Sequence, residues 1–439
     1  MNRDMKEQGR IPVGKVSRAA KFVKTGAKVG GNYVKHYGRK IMDKNASREQ
    51  LDQDNAEDIY ESLSELKGSA LKVAQMLSMD KNLLPTAYQD KFAMSQYSAP
   101  PLSYPLVVKT FQKYFGMAPT ERFNSFSKSA VNAASIGQVH KATLGDKTLA
   151  VKIQYPGISD SVRSDLKLVK PFALRLFGLN ERELDQYMDE VEGKLLEETD
   201  YELEVSRSKR ISEACQAIPN LLFPQYYEEH SAARIITMDW LEGQHIREFL
   251  TTNPTQEIRD QIGQAMWEFY HHQIHHIKAV HADPHPGNFL MRPDGTLGII
   301  DFGCVKEIPE DFYTAYFKLM NKCLLQDDLE LVPVLYDLSF IYADDSDKEK
   351  QLYVSLFKEM MGLLGRPFHT DFFDFSDDAY FKKIYELSER LGSMKELRNS
   401  RHARGSRHGL YINRTYFGLY QLLNMLGAKI RTSKPDWLK

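Results

Sequence analysis

The chain has 439 residues, 42% of them hydrophobic, with 58 Lys and Arg against 59 Asp and Glu. A net charge of −1 excludes a general polyanion binder, so nucleic acid is not an expected partner, and the length suits about two or three structural units. Three cysteines, Cys215, Cys304 and Cys323, stand far apart without a CxxC pair; they give no disulfide framework and point to a reducing compartment.

Charge is unevenly spread. Residues 1–45 carry twelve Lys/Arg and three Asp/Glu, a surplus of nine that the acidic remainder cancels. In VSRAAKFVKTGAKVGGNYVKHYGRK the cations alternate with Val, Ala, Phe and Tyr. This reads either as a surface for anionic lipid headgroups, each charge worth about 1 kcal/mol there, or as a frayed, solvated terminus. Gly26, Gly30 and Gly31 argue against one long helix. Asp4 and Glu7 argue against a transit peptide, and no secretory signal is visible.

From about 46 to 95 the pattern is helical, with Leu63, Leu66, Ala70, Val73 and Leu77 on one apolar face. Pro85 interrupts it, SAPPLSYP (98–105) reads as a linker, and a short amphipathic helix is expected over 104–115. QVHKATL (138–144) and TLAVKIQY (148–155) read as two strands joined at Gly145-Asp146. Helical patterns follow at 158–176 and 181–217, then strand-like 221–227 and 233–241. Beyond Gly243 the chain is mostly helical, apart from FLMR and LGIIDFG. No apolar run reaches the roughly 18 residues of a membrane span. The outline is a basic segment (1–45), a helical extension (46–117), a β-rich lobe with inserted helices (118–242) and a larger helical lobe (243–439).

The chemistry concentrates in HADPHPGNFLMRPDGTLGIIDFG (281–303). FLMR and GTLGIID read as a hairpin around Pro293-Asp294-Gly295, which brings Asn288 and Asp301 together at its open end. Two oxygen ligands suit Mg²⁺, which leaves its other positions to water and phosphate. Asp283, on the preceding loop, is placed to orient an attacking hydroxyl or accept its proton. Lys152, in the strand LAVKIQ, is either snorkelling at an edge or paired in a cleft; the acidic constellation favours pairing. NAASIGQVH (132–140) is a turn of small residues that lets backbone N–H groups approach a phosphate. KLLEETDYELEVSR (194–207) reads as one acidic helix, and such runs are mostly solvated faces. Lys72 and Gln75 share a helical face but carry no meaning alone. His271, His272, His275 and His276 lack the cysteine or acidic neighbours of a metal site.

Together these residues resemble the UbiB/AarF family of atypical protein-kinase-like proteins, a group linked to coenzyme Q biosynthesis. The resemblance is clear over residues 10–310 and looser over 405–430. LKVAQMLSMDKNLLP is similar to the family's KxGQ element, ASIGQVHKATL to its alanine-rich nucleotide loop, LAVKIQYPGI to its lysine strand and EETDYELE to its ExD element. HADPHPGNF and IIDFG complete the set. The resemblance implies an α+β, bilobal protein-kinase-like fold with an N-terminal helical KxGQ extension. It implies that Lys152 contacts the α- and β-phosphates of ATP and pairs with Glu204. Asp283 would be the catalytic aspartate, with Asn288 and Asp301 holding Mg²⁺. Ala133, Ala134 and Ser135 would belong to the nucleotide loop. Met238, Asp239 and Leu241 would lie in the connection between lobes, where backbone groups meet adenine. Lys72, Gln75, Glu198 and Asp200 would form the network through which the KxGQ helix covers the protein-substrate groove. Two departures stand out: Ala74 replaces the KxGQ glycine, and Asn132 replaces the first alanine of the loop. His285 occupies the place of a lysine in typical protein kinases, to touch the γ-phosphate or to shape the loop.

The implied function is a Mg-ATP-dependent ATPase or small-molecule or lipid kinase that supports isoprenoid-quinone or other membrane-lipid metabolism. The implied partners are ATP, a lipid or quinone precursor, an anionic membrane surface and proteins of quinone biosynthesis. The expected location is cytoplasmic and peripheral to a membrane. The alternatives are a phosphotransferase of the aminoglycoside or choline kinase type, against which the KxGQ and ExD elements argue, and a nucleotide-binding scaffold with vestigial chemistry.

Overall fold

The computed structural model describes residues 15–42, 48–66, 87–88, 91, 101–133, 136–177, 181–398, 400–402 and 404–432. The chain divides into two compact units, Met1–Val205 with Gln225–Trp240, and Ser206–Pro224 with Leu241–Lys439.

The first unit opens with α1 (Lys15–Met42), a single helix of 28 residues running through Gly26, Gly30 and Gly31. The expectation against one long helix is therefore corrected, and the reason is tertiary packing. Arg18, Phe22, Thr25, Val29 and Asn32, in alternating steps of four and three, are buried. Of these, Phe22 and Val29 share a core with Ala56, Ile59, Leu63 and Leu66 of α2 (Arg48–Leu66). A Cβ at Gly30 or Gly31 would meet nothing within 4 Å, so these glycines lower propensity without disturbing contacts. Three helical glycines cost about 3 kcal/mol in propensity; burying Phe22 and Val29 returns about 3–6 kcal/mol, before any polar contact is counted. Asn32 Nδ2 donates to Asp58 Oδ2 at 2.8 Å. Arg18, far from being solvated, grips Asp165 and the Leu66 carbonyl from inside the core.

The expected short helix is α3 (Tyr104–Phe115), with Gly116 in the left-handed conformation at its end. The sheet follows in the order β1 (Ser125–Phe126), β3 (Gly137–Leu144), β4 (Lys147–Gln154), β6 (Ile235–Asp239), with β2 (Asn132–Ala133) also on β3. All its pairings are antiparallel. Strand β4 is interior, and its two faces diverge by the period-2 rule. Leu149, Val151 and Ile153 pack with Val107 and Phe111 of α3. Ala150, on the opposite face, packs with Tyr201, Val205, Ile236 and Met238.

Helix α4 (Ile158–Phe177) precedes a segment that the sequence presents as one helix and the structure divides into α5 (Glu181–Glu198) and α6 (Tyr201–Cys215). The break falls at Thr199-Asp200 because Asp200 Oδ1 accepts from Leu203 N at 3.0 Å, the bond of a helix N-cap. Gln154 Nε2 and Arg234 Nη1 both donate to the Thr199 carbonyl, which satisfies the acceptor left at the break.

The second unit takes in 206–224, assigned from sequence to the smaller lobe, because β5 (Leu221–Leu222) pairs in parallel with β9 (Leu297–Ile299). Its core is built on α7 (Gln256–His272), started by the Thr255 hydroxyl accepting from Ile258 N. Trp267, Phe269 and Tyr270 are buried there with Leu419, Leu422, Leu423 and Leu426 of the long helix 407–426. A π turn, Gln273–Ile277, extends α7 and ends at Lys278 with φ 56°. β7 (Ala279–His281) pairs with β10 (Val305–Glu307), and β8 (Phe289–Met291) forms the expected hairpin with β9, Phe289 opposite Ile299. The longer helices that follow include α8 (Glu310–Lys318), α9 (Asp347–Leu364), α10 (Asp378–Ser393) and α11 (Arg407–Leu426). Among the described residues no helix is long and apolar enough to cross a membrane.

Candidate active site

In the first unit, Lys152 projects from β4 on the face opposite Val151 and Ile153. Its Nζ donates to Glu204 Oε1 at 2.6 Å, with the two side chains 16% and 4% exposed. Pairing, not edge snorkelling, is the reading that holds, since β4 has neighbours on both sides. Glu204 lies in the first turn of α6, so the Asp200 cap that starts this helix also fixes where Glu204 points. Tyr201, one turn earlier on the same face, lies under the ammonium at 5.2 Å from ring centroid to Nζ. Gly137 makes room for it: a Cβ there would fall 2.8 Å from the Tyr201 hydroxyl. Sequence reasoning missed Tyr201, although its place three residues before Glu204 was the available signal.

Ala133 is in β2, opposite Gln138. Ala134 and Ser135 lie outside the described residues, as do Lys72, Ala74 and Gln75 of the KxGQ element. Glu198 is the last residue of α5. Asp200 is exposed and spends one oxygen on the α6 cap. Met238 and Asp239 close β6. The Asp239 carboxylate accepts from Gln225 N and the Tyr227 hydroxyl, which makes it part of the local framework. The chain passes from the first unit to the second between Trp240 and Leu241.

In the second unit, the Asp283 loop is tied to itself by short backbone and side-chain bonds. His285 N donates to the Asp283 carbonyl at 2.7 Å, Asn288 N to the His285 carbonyl at 3.0 Å, and Asn288 Nδ2 to the Asp283 carbonyl at 3.0 Å. That last bond turns the amide oxygen of Asn288 to the other side, as a cation ligand requires. Ile300 N donates to the Asn288 carbonyl at 3.1 Å, so the hairpin sets Asn288 beside the residue preceding Asp301. Asp301 Oδ1 accepts from Gly303 N at 2.8 Å. His285 Nδ1 accepts from Gly287 N at 3.0 Å, which makes it a loop-shaping group and leaves the proton of a neutral ring on Nε2.

Beneath this loop, burial disfavours the charged forms of Tyr270 and His281. Full burial holds the Tyr270 hydroxyl well above its ordinary range, with the neighbouring Asp283 and Cys304 adding to the effect. Burial pushes His281 down, against the opposing pull of Asp283 and Asp301. A positive charge that reaches Asp283 is Arg414 of α11, whose Nη2 donates to Asp283 Oδ1 at 3.3 Å. Sequence reasoning missed Arg414, which is 131 positions away in a segment without a recognisable motif.

Of the four histidines near the end of α7, His271 and His275 belong to packing, while His276 is exposed. His275 Nδ1 meets the Tyr313 hydroxyl at 2.9 Å and its Nε2 the Tyr416 hydroxyl at 3.3 Å, while His271 stacks on Trp267. The oxygens that Asn288 and Asp301 would offer are hard donors of the kind Mg²⁺ takes.

A strand lysine paired with a helix glutamate, and an Asp…Asn…Asp series around a hairpin, define a protein-kinase-like chain of α+β class. Residues 94–335, more than half of the sequence, match the ABC1 atypical kinase-like domain, and the chain belongs to that family. It is similar to the mitochondrial atypical kinase COQ8 of Saccharomyces cerevisiae, 27% identical over 446 aligned residues, covering 98% of this chain and 86% of that protein. It is also similar to the probable serine/threonine-protein kinase abkA of Dictyostelium discoideum, 26% identical, covering 82% of this chain and 67% of that one. Among solved structures, the complex of Rv3197 with erythromycin from Mycobacterium tuberculosis matches with a TM-score of 0.59 and 27% identity, covering 87% of this chain and 95% of that chain.

Proposed function

We propose that this protein is an atypical kinase or ATPase that binds Mg-ATP and serves isoprenoid-quinone or other membrane-lipid metabolism. The observation that carries the reading is the hairpin that sets Asn288 beside Ile300-Asp301, directly after the self-tied Asp283 loop. Asn288 and Asp301 would hold Mg²⁺, which supplies charge neutralisation on the phosphates when bound. Lys152, held by Glu204 and the Tyr201 ring, brings a desolvated positive charge for the α- and β-phosphates. Asp283 orients the attacking hydroxyl, from water or from a small acceptor, and accepts its proton.

Peripheral membrane association is part of the same proposal. The outward side of α1 leaves Val23 and Val34 each 74% exposed and Tyr37 62% exposed, next to the exposed cations Lys24, Lys35 and Arg39. Apolar side chains beside cations suit an anionic lipid surface. The name of the yeast relative, an atypical kinase, supports the kinase part of the reading. Titration of the full chain with ATP, with and without Mg²⁺, tests the reading. Mg²⁺-dependent binding that Asp301→Asn weakens is expected; binding indifferent to both would overturn it.

A further inference from the structure

Helix α11 lies beyond the residues matched to the family domain, yet it touches the Asp283 loop at two consecutive residues. Arg414 reaches Asp283. One turn later, Gly418 meets Pro284 so closely that a Cβ at 418 would fall 2.2 Å from Pro284 Cγ and 3.0 Å from its Cβ. Positions four apart share a helix face, so one face of α11 seats two neighbouring loop residues.

The helix is itself firmly held. Leu419, Leu422, Leu423 and Leu426 are buried, and Tyr420 Oη donates to the Leu364 carbonyl at 3.0 Å and Asn424 Nδ2 to the Phe375 carbonyl at 2.8 Å. Its grip on Asp283 differs from those of the structural Arg–Asp pairs. Arg18–Asp165 is double, at 2.6 and 2.6 Å, with side chains 3% and 0% exposed. Arg404–Asp345 is double, at 2.5 and 2.7 Å, with side chains 12% and 3% exposed. Arg414 meets Asp283 at 3.3 Å, with side chains 31% and 25% exposed. Charge-assisted bonds that hold folds together run at about 2.7–2.9 Å. A long, partly exposed contact steers a carboxylate more than it anchors a fold.

We infer that α11 completes the reacting site as a two-point seat for the Asp283 loop. Gly418 sets how closely the helix approaches Pro284. Arg414, at that approach, is a positioning residue: it turns the Asp283 carboxylate through its bond to Oδ1. The inference rests on the Mg-ATP reading given above, and its test separates the two.

The test is steady-state ATP hydrolysis by the full chain and by Arg414→Ala, Arg414→Lys, Gly418→Ala, Asp283→Asn and the double variant Asp283→Asn/Arg414→Ala, each checked by thermal melting. A misplaced reacting group loses about 100-fold in rate, so Arg414→Ala and Gly418→Ala are expected to lower kcat by about that factor while KM for Mg-ATP stays put. Arg414→Lys should recover part of the loss. The double variant should be no slower than Asp283→Asn alone, because Arg414 acts through Asp283. If Arg414→Ala does not fold, Arg414→Gln replaces it, and equal kcat for the Gln and Lys variants overturns the seat. Wild-type kcat in Arg414→Ala, with Asp283→Asn inactive, overturns the seat and spares the Mg-ATP reading. Absence of hydrolysis by the wild type overturns both.

Discussion

Removing the Arg18 side chain tests how the basic N-terminal segment is built into the first unit. In Arg18→Ala, Asp165, with its side chain fully buried, loses two 2.6 Å bonds and keeps the Ser161 hydroxyl at 3.0 Å; the Leu66 carbonyl loses its 2.9 Å donor. Breaking a buried pair from one side costs about 3–5 kcal/mol, because the remaining charge stays buried without its counterion. Against a typical domain stability of about 5–15 kcal/mol, that is a large share. Urea unfolding followed by circular dichroism, with hydrogen exchange read on α1 peptides, should show both the loss and its location. The double variant Arg18→Leu/Asp165→Leu should return most of the stability, since apolar residues can replace a buried pair at little net loss. A loss below about 1 kcal/mol in Arg18→Ala, the level of a surface pair, would refute the reasoning. So would a double variant as unstable as the single one.

His271, stacked on Trp267 and held by burial down to about 4, makes the second unit sensitive to acid. Its folded value lies below the ordinary 6.5, so the unfolded chain binds the proton more readily. Stability is complete above pH 6.5 and falls as pH drops through 4, by about 3 kcal/mol in all. His271→Phe should flatten the fall of the urea midpoint between pH 7 and 5, and an unchanged slope would count against the assignment. Gly263, on α7, would as alanine place a Cβ 2.6 Å from Ala428 Cβ, an atom fixed to backbone. Overpacking of this kind costs about 1–3 kcal/mol and outweighs the gain in helix propensity of about 1 kcal/mol; thermal melting of Gly263→Ala should show a lower Tm.

Much of the site was legible because its signals are local. The β8–β9 hairpin follows from Pro293-Asp294-Gly295 between two apolar runs, and with it the nearness of Asn288 to Ile300-Asp301. Lys152 between Val151 and Ile153 announces a strand with one charged position, and its pairing with Glu204 follows the spacing implied by the resemblance. What was not legible depends on distant contacts. Apolar periodicity runs past Thr199-Asp200; the Asp200 cap that starts α6 is local, but the bonds from Gln154 and Arg234 that hold the Thr199 carbonyl are not. The glycines of α1 predict a weak helix until the seam against α2 and the Arg18–Asp165 pair are counted. The place of 206–224 is decided by Leu221 pairing with Leu297, and that of Arg414 by a contact with Asp283 across 131 positions.

Calorimetric titration of ATP into the full chain, in Mg²⁺ and in its absence, for wild type and Asp301→Asn, addresses the nucleotide site itself. Asn288 and Asp301 as metal ligands predict tight binding only with Mg²⁺ in the wild type, and a loss of at least about tenfold in Asp301→Asn. Equal affinity in the two proteins, or ATP binding that ignores Mg²⁺, would contradict a metal-assisted phosphoryl-transfer site at this hairpin.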